Sequence, residues 1–265
     1  MKRTAFFISD STGITAEALG QSLLSHFDTI DFDKIILPFI DTEEKAHQAV
    51  KRINEAAHRD GAQPIIFDTI VQARINEIIA GSEGFMVDIF STFLSPLETA
   101  LNSKSNYHVG RPRIATIDKT YSNRINAVSY ALDNDDGARV NRYDDAQVIL
   151  VGVSRSGKTP CCLYLAMQSG IFAANYPLTD DDLDSRQLPK PLQEHKHKIY
   201  GLTIHPERLS AIRNERRSGS RYASMNQCED EVRKAQALFQ RYNIRYIDTT
   251  HASIEEIATR ILVDA

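Results

Sequence analysis

The sequence predicts an α/β protein of two lobes with mostly parallel sheets. Three observations carry this expectation. Short apolar runs alternate with segments whose apolar residues recur at three- and four-residue steps, the pattern of parallel strands covered by helices. The alternation stops after about Leu101 and resumes at Gln147. The run Gln147-Val148-Ile149-Leu150-Val151 is continuously apolar, as in a strand buried on both faces. A chain of 265 residues is long enough for one large core or two small ones. The break divides it into an N-terminal α/β domain over 1–105, a linker with one helix over 106–145, and a second α/β domain over 146–265.

Ala5-Phe6-Phe7-Ile8 reads as the first strand, followed by the polar loop Ser9-Asp10-Ser11-Thr12-Gly13. A helix to about His26 follows, with Ala16, Leu19, Leu23 and Phe27 on its apolar face. The second strand is Ile35-Ile36-Leu37 with Phe39-Ile40. Its helix carries Ala46, Ala49, Val50, Ile53 and Ala57, and Gly61 suits the C-terminal stop. Ile65-Ile66-Phe67 is a third strand, 70–79 a third helix and 85–89 a fourth strand. Gly110-Arg111-Pro112 breaks the pattern, and a helix is expected over 123–132. After the 147–151 strand come a loop, a helix to about Gln168, and strands over 171–174, 199–204 and 245–247. The last helix opens on Ser253-Ile254-Glu255-Glu256, a capping-box pattern, and should bury Ile254, Ile257, Ala258, Ile261 and Leu262.

Composition excludes several classes of function. Hydrophobic residues make up 42%, charged residues 25%, and the net charge is -4. A general nucleic-acid or membrane-surface binder would show a basic excess. Cys161, Cys162 and Cys228 form neither a disulfide framework nor a Cys-x-x-Cys pair, which suits a reducing compartment. The basic start is followed by an apolar run too short for a signal peptide, and no run reaches the roughly 18–20 apolar residues of a membrane span. A soluble, cytoplasmic protein is the expectation.

The strongest motif is Gly152-Val153-Ser154-Arg155-Ser156-Gly157-Lys158-Thr159, which matches the P-loop pattern G-x-x-x-x-G-K-[ST]. Its glycines permit a turn tight enough for successive backbone N–H groups to face one anion, and the following helix adds its positive end. Lys158 would reach the β- and γ-phosphates, and the Thr159 hydroxyl would bind Mg²⁺. Pro160 is tolerated in a first helical turn. The second lobe is therefore expected to be a P-loop nucleotide-binding fold. No Asn-Lys-x-Asp reads guanine, since Ile117-Asp118-Lys119-Thr120 lacks the Asn. Asp248, after Tyr246-Ile247, fits a Walker-B aspartate only loosely.

Other candidates carry two readings each. The 9–13 loop sits where a parallel sheet places ligands, or Ser11 or Thr12 simply caps the helix. In Asn134-Asp135-Asp136-Gly137 an aspartate would act as general base, or the segment is a solvated turn. Arg213, Arg216, Arg217 and Arg221 would clamp phosphate or an acidic partner, or form a solvated helix end. His195-Lys196-His197 lacks further ligands for a metal and reads as exposed. Asp180-Asp181-Asp182 with Asp184 reads as a solvated loop.

Several stretches together resemble the bacterial regulators of phosphoenolpyruvate synthase, a family of bifunctional kinases and phosphorylases related to the regulators of pyruvate, phosphate dikinase. They are Phe7-Ile8-Ser9-Asp10-Ser11-Thr12-Gly13-Ile14-Thr15-Ala16-Glu17, Asp135-Asp136-Gly137, and the 152–159 motif with Pro160. Leu163-Tyr164-Leu165-Ala166-Met167-Gln168, Ala173-Ala174-Asn175-Tyr176-Pro177, Gly201-Leu202-Thr203-Ile204, Pro206-Glu207-Arg208-Leu209 and Ser220-Arg221-Tyr222-Ala223-Ser224 continue the match. The segment 102–120 departs from it. The resemblance implies a kinase that uses ADP to phosphorylate a threonine of phosphoenolpyruvate synthase, inactivating it. The opposing phosphorylase uses inorganic phosphate and releases pyrophosphate. It places the nucleotide on 152–159, where the P-loop motif itself gives Mg²⁺ at Thr159 as the expected cofactor. Lys158 would neutralise developing charge, Arg155 would contact the transferred phosphoryl group, and Asp136 or Asp10 would take the threonine proton. A homodimer fits a regulator that grips a larger enzyme, although no apolar stripe marks an interface. Alternatives are a regulator of the dikinase, a P-loop kinase for a small metabolite, and a nucleotide-responsive binding module.

Overall fold

A computed structural model describes residues 2–105 and 114–264, with the side chains of 114–120 outside the description. The Gly110-Arg111-Pro112 breaker and the side chains of Ile117-Asp118-Lys119-Thr120 therefore lie outside the described residues. The chain divides into two compact units, Met1–Arg111 and Pro112–Ala265.

The first unit runs β1 (Lys2–Ile8), α1 (Ile14–Leu24), β2 (Asp31–Leu37), α2 (Glu43–Asp60), β3 (Ile65–Asp68), α3 (Ala73–Ala80), β4 (Phe85–Asp88) and α4 (Ile89–Leu101). Its four strands lie in the order β2-β1-β3-β4, and every pair is parallel. Alternation along β1 sends side chains to opposite faces. Phe6 and Ile8 join Ile53, Ile66 and Ile79 on one side, while Ala5 and Phe7 join Ala16, Phe67 and Ile89 on the other.

Two helix faces differ in detail from the periodicity. The buried residues of α1 are Ala16, Gly20 and Leu24, while Leu23 and Phe27 are exposed. Gly20 explains the rotation. A Cβ there would lie 2.5 Å from a Phe7 ring carbon, so the helix approaches the sheet along its one residue without a side chain. In α2 the buried stripe is Ala46, Ala49, Ile53 and Ala56, with Ala56 more deeply placed than Ala57. Thr42 caps this helix by accepting from Lys45 N, and Gly61 ends it with φ +59°.

The second unit runs α5 (Ile114–Asp133), β5 (Val148–Gly152), α6 (Lys158–Ser169), β6 (Ala173–Pro177), α7 (Asp180–Ser185), α8 (Lys190–Gln193), β7 (Ile199–Thr203), α9 (Pro206–Arg216), α10 (Met225–Arg241), β8 (Tyr246–Asp248) and α11 (Ile254–Asp264). Its strands lie in the order β6-β5-β7-β8, again all parallel. The central strand β5 is buried throughout. α5 begins well before the expected 123–132 span and supplies Ala127 and Ala131 to the core around Cys161, Leu150 and Leu165. Asn123 Nδ2 donates to Gly170 O at 3.0 Å.

The run 180–184 is helix α7 and not a loop. Thr179 and Asp182 form a reciprocal capping box, and the acidic first turn suits the positive end of the helix. The capping box at Ser253 is formed as expected: Ser253 N donates to Glu256 Oε2 at 2.9 Å and Glu256 N to Ser253 Oγ at 3.2 Å. α11 buries Ile257, Ala258 and Ile261, whereas Ile254 and Leu262 at the edges of the stripe stay partly open. Among the described residues no helix is long and apolar enough to cross a membrane.

Candidate phosphate-binding site

The second unit's sheet changes direction at β5: the chain leaves β5 for β6 on one side and later returns to β7 on the other. Carboxyl ends of strands at such a switch point leave a crevice for ligands. The 152–159 loop lies there. Gly152 ends β5, and a Cβ on it would sit 2.4 Å from Leu202 O, so only glycine fits. Arg155 and Gly157 turn the loop through the left-handed region, at φ +74° and φ +91°. Gly157 stands at the N-cap of α6 with no side-chain cap, which leaves the first N–H groups of the helix to a ligand or water.

Lys158 is 5% exposed. Its Nζ donates to Gly152 O at 3.0 Å and Val153 O at 2.9 Å, both carbonyls of its own loop. Burial lowers its pKa to about 8, against the opposing pull of the Asp136, Cys162 and Asp135 charges. The Ser156 hydroxyl is buried and has no hydrogen-bond partner among the described residues. A buried hydroxyl without a partner is uncommon in a folded protein and marks this loop as a candidate ligand site.

The β6 side of the loop is acidic. Thr159 Oγ1 donates to Asp135 Oδ1 at 2.7 Å. Asn175, fully buried in β6, donates from Nδ2 to the same Asp135 oxygen and accepts Asp136 N at 3.0 Å on Oδ1. Asp136 sits at φ 49°, ψ 34°, and this left-handed turn separates the two carboxylates: Asp135 is half-buried against Thr159 and Asp136 is exposed. The carboxylate facing Thr159 is thus Asp135, which precedes the loop in sequence. Asp248 ends β8, separated from β5 by β7, and accepts from Thr250 N at 2.9 Å.

The basic run resolves into two populations. Arg216, Arg217 and Arg221 are exposed, but Arg213 is fully buried. It is neither a solvated helix end nor available to clamp a phosphate. Its guanidinium forms a two-pronged pair with Glu231, at 3.0 and 2.6 Å, and lies 4.1 Å over the Tyr222 ring. It also donates to Ser154 O at 3.1 Å, and Tyr222 OH lies 2.8 Å from Ser154 Oγ. Three residues, Arg213 of α9, Tyr222 of the 221–223 turn and Glu231 of α10, thereby hold Ser154 beside the left-handed Arg155. Arg155 itself is exposed.

Asp10 belongs to the first unit, where Oδ2 accepts Val71 N at 3.0 Å. Neither Ser11 nor Thr12 caps α1. The N-cap is Gly13 at φ +81°, and Ser9 Oγ is used to accept Ser11 N at 3.1 Å. Nearby Asp68, fully buried at the end of β3, accepts Ile70 N and Asn76 Nδ2 at 2.9 and 2.7 Å. Burial, with the Asp88 and Asp10 charges, raises its pKa to about 7. His195 packs edge-on against Tyr143 at 6.0 Å, and no group of three or more His, Cys, Asp or Glu suits a metal among the described residues.

Asn175, Glu231 and Tyr222 were not singled out by sequence reasoning as site residues. Asn175 and Tyr222 fall inside stretches that carry the family resemblance. Glu231 has no local signal at all.

Two parallel α/β units, the second with a lysine-bearing glycine loop at its switch point, define a class of fold that collects ligands at the carboxyl ends of its strands. The sequence model of the Kinase/pyrophosphorylase family matches residues 5–262, and the chain belongs to that family. It is 61% identical over 264 residues to a protein of Pseudomonas aeruginosa (strain LESB58), covering 100% of this chain and 96% of the relative. A protein of Stutzerimonas stutzeri (strain A1501) is 61% identical, covering 100% and 97%, and one of Marinobacter nauticus 57% identical, covering 99% and 97%. All three carry the provisional name phosphoenolpyruvate synthase regulatory protein. A solved periplasmic sugar-binding protein of Legionella pneumophila aligns over 98% of this chain and 93% of its own, at 13% identity and a TM-score of 0.20, too distant to bear on the fold.

Proposed function

We propose that the chain is a bifunctional phosphotransferase that regulates phosphoenolpyruvate synthase, with 152–159 as the P-loop of its nucleotide site. As a kinase it transfers the β-phosphoryl group of ADP to a threonine hydroxyl of that enzyme, releasing AMP and inactivating the target. As a phosphorylase it lets inorganic phosphate attack the phosphothreonine, which frees the hydroxyl and releases pyrophosphate. The family supports the two reaction types and the relatives' names support the target. The observation that carries the reading is Lys158, a buried ammonium whose described partners are two neutral carbonyls of its own loop. A phosphate oxygen is a stronger acceptor than either carbonyl, so an anion entering the loop competes well for this cation.

Each residue then has a task. The 153–159 N–H groups and Lys158 bind the diphosphate and stabilise charge that develops on it. Ser156 offers its free hydroxyl. Asp135 and Thr159 provide hard oxygen donors fit to hold Mg²⁺, which when bound neutralises phosphate charge. Asp136 is exposed, and its charge acts on Lys158, so it is placed to accept the threonine proton near the phosphates. Arg155, exposed on the loop, reaches the transferred phosphoryl group.

The test is incubation with ADP, Mg²⁺ and the phosphorylated synthase. Phosphothreonine on the synthase, reversed by inorganic phosphate with release of pyrophosphate, is the expected result. Lys158→Ala should lower both rates by about 10²–10³-fold. Turnover of ATP with a small acceptor would indicate a metabolite kinase instead, and binding without transfer would indicate a sensor module.

A further inference from the structure

A cavity of about 650 Å³ opens at the carboxyl ends of β7 and β8. That is within the range of small-molecule sites. His205, Glu207, Arg208, Asp248, Thr250 and His251 line it. Its two walls are tied together: His205 N donates to Thr250 Oγ1 at 2.8 Å. Between the lining residues Asp248 and Thr250 stands Thr249. Its hydroxyl lies 3.2 Å from Ser156 O in the glycine loop and 3.0 Å from Thr203 O at the end of β7. Thr249 therefore links the Asp248–Thr250 wall of the cavity to the backbone of the 152–159 loop.

From the contiguity of this cavity with the loop, we infer that it receives the ribose and base of the nucleotide whose diphosphate the loop binds. The inference rests on the proposed phosphate role of the loop and adds the nucleoside subsite.

Geometry restricts where a nucleoside can go. The β6 side of the loop is filled by the Thr159–Asp135–Asn175 network. The β7–β8 side is open, at the carboxyl end of the sheet and one strand away from the switch point at β5. The lining chemistry fits a nucleoside better than an apolar metabolite. Two imidazoles and a guanidinium offer flat surfaces to the π-face of a base. Carboxylates suit ribose hydroxyls, which donate well to them. Thr250 occupies Asp248 Oδ1 and fixes that carboxylate. Among the described residues Oδ2 carries no bond. Both histidines, Glu207 and Arg208 are exposed, so a ligand reaches them without any opening of the fold.

The experiment compares ADP with inorganic pyrophosphate, a diphosphate that lacks a nucleoside, by calorimetric titration of the full-length protein with Mg²⁺ present. His251→Ala and Arg208→Ala, both surface changes, should each weaken ADP by about tenfold, in the lower part of the range for losing a base stack. Pyrophosphate affinity should stay within about twofold of the parent protein. The His251 ring signals in proton NMR should move on adding ADP and stay still on adding pyrophosphate. Unchanged ADP affinity in both variants, or equal losses for ADP and pyrophosphate, would overturn the nucleoside assignment. Lys158→Ala separates the two ideas. If it leaves pyrophosphate binding intact, the loop is not the phosphate site, whatever the cavity variants do to ADP.

Discussion

The two units share one topology and differ in the charge placed at its switch point. Each orders its strands as second, first, third, fourth, all parallel. In each the loop after the first strand stands at the switch, with a left-handed glycine at the helix N-cap: Gly13 before α1 and Gly157 before α6. In the first unit the buried ionisable group there is Asp68, raised to about 7. In the second it is Lys158, lowered to about 8. Burial pushes both toward neutrality from opposite directions. In the 9–13 loop Ser9 Oγ accepts Ser11 N, Ser9 O accepts Ile40 N and Asp10 Oδ2 accepts Val71 N, all within the unit. In the 152–159 loop Ser156 Oγ is left orphaned among the described residues. Topology sets where a ligand can sit, and loop residues decide which ligand, if any, is attracted.

Lys158→Ala should give the largest effect, in the transfer assay, and would break the comparison if it proved silent. Next in size is Glu231→Ala. It strands the buried Arg213 charge and should cost about 3–5 kcal/mol in urea denaturation. Glu231→Gln keeps the hydrogen-bond acceptor and should cost less. Equal, small losses for both would mean that the pair contributes little to holding the second unit together.

Asp68 predicts a pH signature belonging to the first unit. Its folded pKa lies above the unfolded value of 3.8, so the native state binds the extra proton. The stabilisation is fully present below about 3.8 and is lost as pH rises toward about 7. Asp68→Asn should therefore gain on the parent protein across that window in melting temperature, while Lys158→Met shows no such trend. A flat difference for Asp68→Asn would show that the carboxyl is ionised throughout.

The smallest effect concerns Gly157. A Cβ there meets nothing within 4 Å, so Gly157→Ala pays only for φ +91°, about 1–2 kcal/mol. Gly152→Ala, with its Cβ against Leu202 O, should be the more damaging, and denaturation of the two variants side by side would check the order.

Much of the fold was legible because its signals are local. Apolar runs and helical periodicity placed all eight strands of the described residues to within a few residues, and the spacing of Gly152, Gly157, Lys158 and Thr159 marked the loop without any structure. Capping at Ser253 and the stop at Gly61 were readable for the same reason, since each involves neighbours in sequence. Tertiary structure decided what depends on partners far along the chain. Asp135 meets Thr159 across 24 residues and Asn175 across 40. Arg213 is buried because Glu231, a full helix away, neutralises it and Tyr222 covers its face. The exposed face of α1 was misjudged because a glycine, which has no hydrophobic signal, sets the approach to Phe7. Sequence alone determined the alternating architecture and the position of the lysine-bearing glycine loop, because backbone propensity and side-chain period act over a few residues. Which aspartate faces Thr159, which arginine is buried and where a cavity adjoins the loop were decided only by packing, which pairs residues that no local pattern connects.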